Sequence, residues 1–228
     1  MKAEWIVRRK DPDLLLFFNG WGMDRRLADH LVSACSERQA PGPDIVLLYD
    51  YRDLTLPEWL GEAIAGVRSV DLLAWSLGVW VAAHAGLDRV DRAVAVNGTC
   101  FPVDATRGIP PEIFKGTLEQ WSDASRARFD RRMFARVSPE RYQPLRSARL
   151  SGEQQEELRV IGEAVSAGQG TRRSIWRYSK AFVGGADLIF MPENQRRAWH
   201  EIGVPVIEIA EMPHFPFFHL DTLQELFR

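Results

Sequence analysis

The sequence predicts an α/β protein built on an open, mostly parallel sheet with a block of helices inserted between strands. Three observations carry this. Short, mostly apolar runs recur at Leu14–Phe18, Asp44–Tyr51, Val70–Trp75 and Arg92–Asn97, with helical patterns between them. From about residue 110 to residue 177 strand texture disappears, and it then returns. Runs that are apolar at every position, rather than at alternate ones, suit strands covered on both faces.

Each element has its own signal. The first run ends at Asn19-Gly20, and the second is entered through Pro41-Gly42-Pro43. Helices are expected over 24–34, 57–67 and 77–85, the last stopped by Gly86. In the insert, Ile113, Leu118 and Trp121 recur at helical spacing, as do Phe129, Met133 and Val137. Ser151 followed by Gln154 reads as a capping box for a helix running to about Gly168. Strand texture resumes at "KAFVGG" and "VPVIEIA", with a helix near 193–202 between them and a terminal helix from about Asp221. The expected division is a core of residues 1–104 and 178–228 and a helical lid of residues 105–177.

The 228 residues suffice for one such domain with an insert, and 46% hydrophobic residues can form its core without disulfides. A net charge of −2 argues against bulk binding of nucleic acid. Cys35 and Cys100 lack metal-ligand spacing and read as small buried hydrophobes. The five histidines show no zinc-binding pattern, so no metal and no cofactor is expected. "MKAEWIVRRKDPD" carries charges where a signal peptide is apolar, and no apolar run approaches the ~18 residues of a membrane span. A soluble cytoplasmic protein is expected.

The chemistry begins at "LLAWSLGVWVAAHAG". Ser76 stands in Ala74-Trp75-Ser76-Leu77-Gly78, between an apolar strand and a helix. A nucleophile elbow is usually G-x-S-x-G, small at both flanks because strand and helix nearly touch there. Alanine at 74 departs from the strict motif but keeps the small size. A serine hydroxyl needs a base, and the base needs an orienting acid. His214 lies just after the last strand, where this class of sheet places its chemistry; His200 and His219 suit that place less well. Asp187, after the preceding strand, is the preferred acid, and Asp104, beyond the fourth clear strand, is its rival. The backbone N–H of Leu77 and that of Trp21, in "FFNGWGMD", are the expected oxyanion donors. A sheet interrupted by a helical cap, with residues in this order, is one architecture of the α/β-hydrolases.

With these residues in hand, the chain resembles the pimeloyl-[acyl-carrier-protein] methyl ester esterases of biotin synthesis, in their short BioG-type group. The resemblance rests on "FFNGWGMD", "LLAWSLGVWVA", "VNGT", "GIPPEIF" and "MPHFPFF". It implies an α/β-hydrolase fold with a lid, a Ser–His–Asp triad whose motifs fall on Ser76, His214 and the Trp21 loop, and hydrolysis of a methyl ester on a carrier-bound pimeloyl chain. The acyl chain would pass Trp21 and the lid aromatics Trp121 and Phe129.

The lid has a charge of its own. Eight arginines stand between Ala124 and Leu150, opposed only by Asp130 and Glu140, a net +6 in a chain of −2. A one-signed patch steers a partner of opposite sign. An acidic acyl carrier protein is therefore the expected partner, docking on Arg126, Arg128, Arg131, Arg132 and Arg136. RNA would also suit the charge, but no RNA-binding motif accompanies it. A broader acyl esterase or thioesterase, and a hydrolase-fold binding protein without turnover, are the alternative readings.

Overall fold

In the computed structural model, which describes residues 1–36, 42–135, 137–168, 175–220 and 225–227, the elements run as follows. The first half contains β1 (Lys2–Val7), β2 (Asp13–Phe18), α1 (Arg26–Ser36), β3 (Asp44–Tyr49), α2 (Glu58–Ala65), β4 (Ser69–Trp75), α3 (Gly78–His84) and β5 (Arg92–Val96). The insert contains α4 (Pro111–Glu119), α5 (Asp123–Met133), the short α6 (Pro139–Tyr142) and α7 (Ser151–Ser166). Then come β6 (Lys180–Gly184), α8 (Pro192–Glu201) and β7 (Val206–Ile209).

Seven strands form one sheet in the order β1-β3-β2-β4-β5-β6-β7. Every pairing is parallel except that of β1 with β3. Successive side chains of the inner strands go to opposite faces and both faces are buried. Leu14, Leu16, Phe18, Leu72 and Ala74 join one core with α2, α3, α7 and α8. Leu15, Phe17, Leu73 and Trp75 join the other with α1 and the Phe215–Phe217 segment. This two-sided burial is why the inner strands read as near-continuous apolar runs.

The chain leaves β2 for β3 on one side and returns to β4 on the other. The crevice between the loops after β2 and β4 is therefore the switch point where such sheets take ligands. Those loops carry Trp21 and Ser76.

The structure departs from the expected elements in places. β1 has no clear signal in "KAEWIV", because an antiparallel edge strand mixes charges with half-buried residues. The helix expected to begin with a Ser151 cap has Leu150 at that position. Leucine has no side-chain acceptor, and only half the box forms, Leu150 N–H donating to Glu153 (3.3 Å). Trp121 and Val137 lie outside α4 and α5, and the genuine capping box is Ser122 with Ser125. Near the C-terminus the described residues hold a short 3₁₀ turn, Glu225–Phe227, while the expected helix start at Asp221 lies outside them. Cys100 is half-buried, and burial pushes its thiol up to about 12; the side chain of Cys35 lies outside the described residues.

Candidate active site

Ser76 occupies the sharp turn from β4 into α3, and its φ of +58° is in the left-handed region. Such a conformation costs a non-glycine residue about 1–3 kcal/mol and persists only where the surroundings over-determine it. Here they do. Ser76 N–H donates to the Val96 carbonyl (3.0 Å), and Val79 N–H donates to the Ser76 carbonyl (3.1 Å). A Cβ at position 78 would lie 2.4 Å from the Asn19 carbonyl oxygen and 2.7 Å from that of Phe18. Only glycine lets α3 start there. Ala74 is in register with Phe18 of β2 and Ala95 of β5, fully buried. Its methyl group fits a layer of the sheet, so the first glycine of the usual motif is not needed.

His214 follows β7 and is buried. Its Nε2 is 3.0 Å from Ser76 Oγ and its Nδ1 is 2.9 Å from Asp187 Oδ2. A carboxylate only accepts, so Nδ1 carries the proton and Nε2 is left to accept from the serine hydroxyl. Asp187, three residues beyond β6, is fully buried and otherwise satisfied. Its Oδ1 accepts from the Ile189 and Phe190 N–H groups (2.8 and 3.0 Å), and its Oδ2 also accepts from Gln195 (3.0 Å). Asp104 is turned elsewhere. Arg107 Nη2 is 2.7 Å from its carboxylate, and this guanidinium, with Thr106, holds the carboxyl well below its usual range. His200 and His219 are exposed.

An open pocket with an empty volume of about 450 Å³ meets Ser76, walled mainly by apolar side chains. Trp21 and Phe129 line it with Leu77, Ile109, Phe114 and Leu158. Trp121 stands behind this wall. Its ring is 4.5 Å from that of Trp21, and it lines a second, smaller hollow. Among the described residues, the backbone N–H groups of Trp21 and Leu77 have no hydrogen-bond partner. Both belong to residues on the wall of the Ser76 pocket.

The arginines of the insert divide into two sets. Arg126 is half-buried and donates to the Arg149 carbonyl (2.7 Å) and to that of Ser147. Arg146 pairs with Asp130 (2.7 Å), and Arg149 is buried between Asp50 and Glu157. These three are engaged within the insert and with Asp50 of the core, and Arg149 is matched by two acids, Asp50 and Glu157, that the +6 leaves out. Arg128, Arg131 and Arg132 are exposed with no ion pair among the described residues, and Arg132 reaches the mouth of the Ser76 pocket. Arg136 lies outside the described residues.

Residues given no role by the sequence reading hold the site in place. Asn97 and Trp75 bind the carbonyl of His214 (3.0 and 2.9 Å), and Gln195 supports Asp187. Trp75 and Asn97 lie in stretches that carry the resemblance, and Gln195 has only its place on a helix facing the strand ends as a signal.

Comparison with known proteins follows the same lines. A family model described as pimeloyl-ACP methyl esterase BioG matches residues 1–224. A malonyl-[acyl-carrier protein] O-methyltransferase of Bacteroides fragilis is 37% identical over 193 residues, 83% of this chain. The chain spans only 37% of that relative's length. An uncharacterised protein of Haemophilus influenzae is 38% identical over 189 residues, covering 82% of this chain and 81% of its own. The crystal structure of BioG from Haemophilus influenzae superposes with a TM-score of 0.86 at 34% identity, covering both chains completely. An enol-lactonase from Burkholderia xenovorans shares the fold, with a TM-score of 0.60 at 15% identity over 91% of this chain and 87% of its own.

Proposed function

The chain belongs to the pimeloyl-ACP methyl esterase BioG family and has the α/β-hydrolase fold, and from that premise we propose a specific reaction. It is a serine carboxylesterase that hydrolyses the methyl ester of a pimeloyl chain carried on acyl carrier protein, in biotin synthesis in the cytoplasm. The observation that supports this most is the continuous hydrogen-bonded line Ser76–His214–Asp187 opening on an apolar pocket. The methyl transfer named for the Bacteroides relative belongs to a protein of which this chain spans about a third, and it is not assigned to this chain.

The reaction runs in two halves. Residues 105–177 act as the lid over a core of 1–104 and 178–228, and the acyl chain lies against Trp21 and Phe129 beneath it. Ser76 Oγ attacks the ester carbonyl as His214 Nε2 takes the hydroxyl proton. Asp187 keeps the imidazole in the receptive tautomer and stabilises the imidazolium. The carbonyl oxygen becomes an oxyanion held by the Trp21 and Leu77 N–H groups. The C–O bond to methoxide breaks, and His214 returns the proton so that methanol leaves. Water then attacks the acyl-serine, again giving its proton to His214. The acid is released as Ser76 recovers its hydroxyl.

The carrier docks on the exposed lid arginines. An acidic partner suits Arg128, Arg131 and Arg132, which have no ion pair among the described residues. The test is methanol release from carrier-bound pimeloyl methyl ester, compared with release of acyl groups from carrier thioesters. Rapid hydrolysis of the methyl ester, lost in Ser76→Ala, is the expected result. Equal or faster thioester cleavage would favour the broader acyl-hydrolase reading, and near-normal activity in Ser76→Ala would overturn both.

A further inference from the structure

The loop Asn19–Met23 is hydrogen-bonded almost to exhaustion. Asn19 N–H donates to Leu48, Gly20 N–H to the Asn19 side chain, and Met23 N–H to Gly20. Gly22 N–H donates to Glu157 Oε2 (3.1 Å), and the Gly22 carbonyl accepts from Gln154 Nε2 (2.8 Å). The Trp21 indole N–H donates to the Gln154 carbonyl (2.6 Å). Among the described residues, the one backbone N–H of the loop without a partner is that of Trp21. Both groups that grip Gly22, and the carbonyl that takes the Trp21 indole, come from α7 of the insert.

Glu157 is fully buried, and burial of a carboxylate is costly unless its charge and lone pairs are met. Three donors meet them: Gly22 N–H, Tyr51 N–H on Oε1 (3.0 Å), and Arg149 Nη1 (2.6 Å). Arg149 is in turn shared with Asp50 (2.8 Å). Gly22 has φ +74°, and a Cβ there would lie 3.0 Å from Gln154 Nε2. Loop and helix are thus built to fit each other at this residue. Packing alone would be met by an apolar side chain at 157. A buried ion is used here to hold one peptide group of the loop in one orientation.

We infer that Glu157, braced by Arg149, and Gln154 are positioning residues for the oxyanion site, fixing the two peptide groups on either side of Gly22 so that the N–H of Trp21, in the peptide group just before them, points at the reacting carbonyl. The inference rests on the reading of Ser76 as nucleophile. It adds that the insert completes the oxyanion site of the core through contacts that never reach the substrate.

Glu157→Gln is the sharpest probe, because it keeps shape while placing an amide donor against either Gly22 N–H or Tyr51 N–H. Gln154→Leu is the second probe. It removes the donor to Gly22 but leaves the backbone carbonyl that binds the Trp21 indole. Rates on a small p-nitrophenyl ester are normalised to active sites titrated with a fluorophosphonate. Removing one oxyanion donor outright costs about 10²–10³-fold in kcat, so loosening one should cost about tenfold or more. KM should stay within about twofold, because the donor acts chiefly in the transition state. Affinity for a trifluoromethyl ketone that mimics the tetrahedral adduct should fall in the same proportion as kcat. A variant with normal kcat per titrated site overturns the inference, as does a loss confined to KM. If Glu157→Gln does not fold, Gln154→Leu decides on the same readouts. Failure of the wild-type protein to label at Ser76 would instead sink the nucleophile assignment itself.

Discussion

The side-chain amide of Asn97, at the end of β5, donates to the backbone carbonyl of His214 at 3.0 Å and to that of Pro213 at 2.8 Å. Its oxygen accepts from Gly184 N–H (2.7 Å) at the end of β6. One residue therefore ties the histidine loop to two strands. The indole of Trp75, next to Ser76, binds the same His214 carbonyl (2.9 Å). Asn97→Asp keeps the shape but turns two donor contacts into acceptor–acceptor repulsions. Each buried group left unpaired costs about 1–3 kcal/mol. Thermal unfolding should move to lower temperature, and kcat should fall by ~10-fold or more as His214 shifts. Unchanged kcat in a folded variant would show that the loop holds itself.

Asp187→Asn and Asp104→Asn separate the two acids. In Asp187→Asn the new side-chain amide would face His214 and favour the wrong tautomer, costing ~10⁴-fold in kcat. Asp104→Asn should leave kcat within about twofold, since that carboxylate serves Arg107 and Thr106 on the surface. Both are read on one small ester. A large loss only at position 104 would transfer the acid role there.

The fold was legible wherever burial was two-sided. Leu14–Phe18 is apolar at every position and Val70–Trp75 at all but Asp71, because both faces are covered, and the sequence places them to within a residue or two of their true ends. The edge strand β1 was missed, since Glu4 and Trp5 are only half-buried and no alternation stands out. At the site, Ser76 and His214 stood out because turn chemistry and chain order narrow the choices. Glu157, Gln154 and Arg149 could not be read. Their partners lie about a hundred residues away or more in the chain, at Asp50, Tyr51 and Gly22, and a charged helical residue ordinarily faces water. The arginine count misleads in part for the same reason: Arg126, Arg146 and Arg149 are turned toward carbonyls and carboxylates of the insert and the core rather than toward solvent.

Arg128 and Arg131 are the exposed basic pair to test for carrier docking. Arg128→Glu with Arg131→Glu should lower kcat/KM for carrier-bound ester by about tenfold or more at low salt, through a slower encounter. The deficit should shrink as salt rises, because the Debye length falls to about 8 Å at physiological strength. Rates on a small uncharged ester should be unaffected. Equal losses on both substrates would place the defect in the lid's packing, and loss on neither would remove these residues from docking.

Asp50 gives the protein a specific acid sensitivity. It sits at the end of β3 with φ +55° and is buried. Burial pushes its carboxyl up, but hydrogen bonds from Arg52 and Lys2 and the charge of Arg149 outweigh that and hold it well below the ordinary aspartate value of 3.8. A carboxyl depressed in the folded state stabilises the fold above its unfolded value, and that stability is lost as pH falls toward the folded value. Asp50→Asn tolerates the left-handed backbone but leaves Arg149 with half its counter-charge. Breaking a buried pair in this way costs about 3–5 kcal/mol. Urea unfolding at pH 7 should show a loss of that order. Below about pH 4 the gap between wild type and variant should begin to narrow, because the unfolded wild-type chain takes up the proton while the folded carboxylate still resists it, and the gap closes only as pH falls toward the depressed folded value. A gap of equal size at pH 7 and pH 3 would mean that Asp50 acts through shape alone, and that the ionic chain from Lys2 to Glu157 does not stabilise the contact between insert and core.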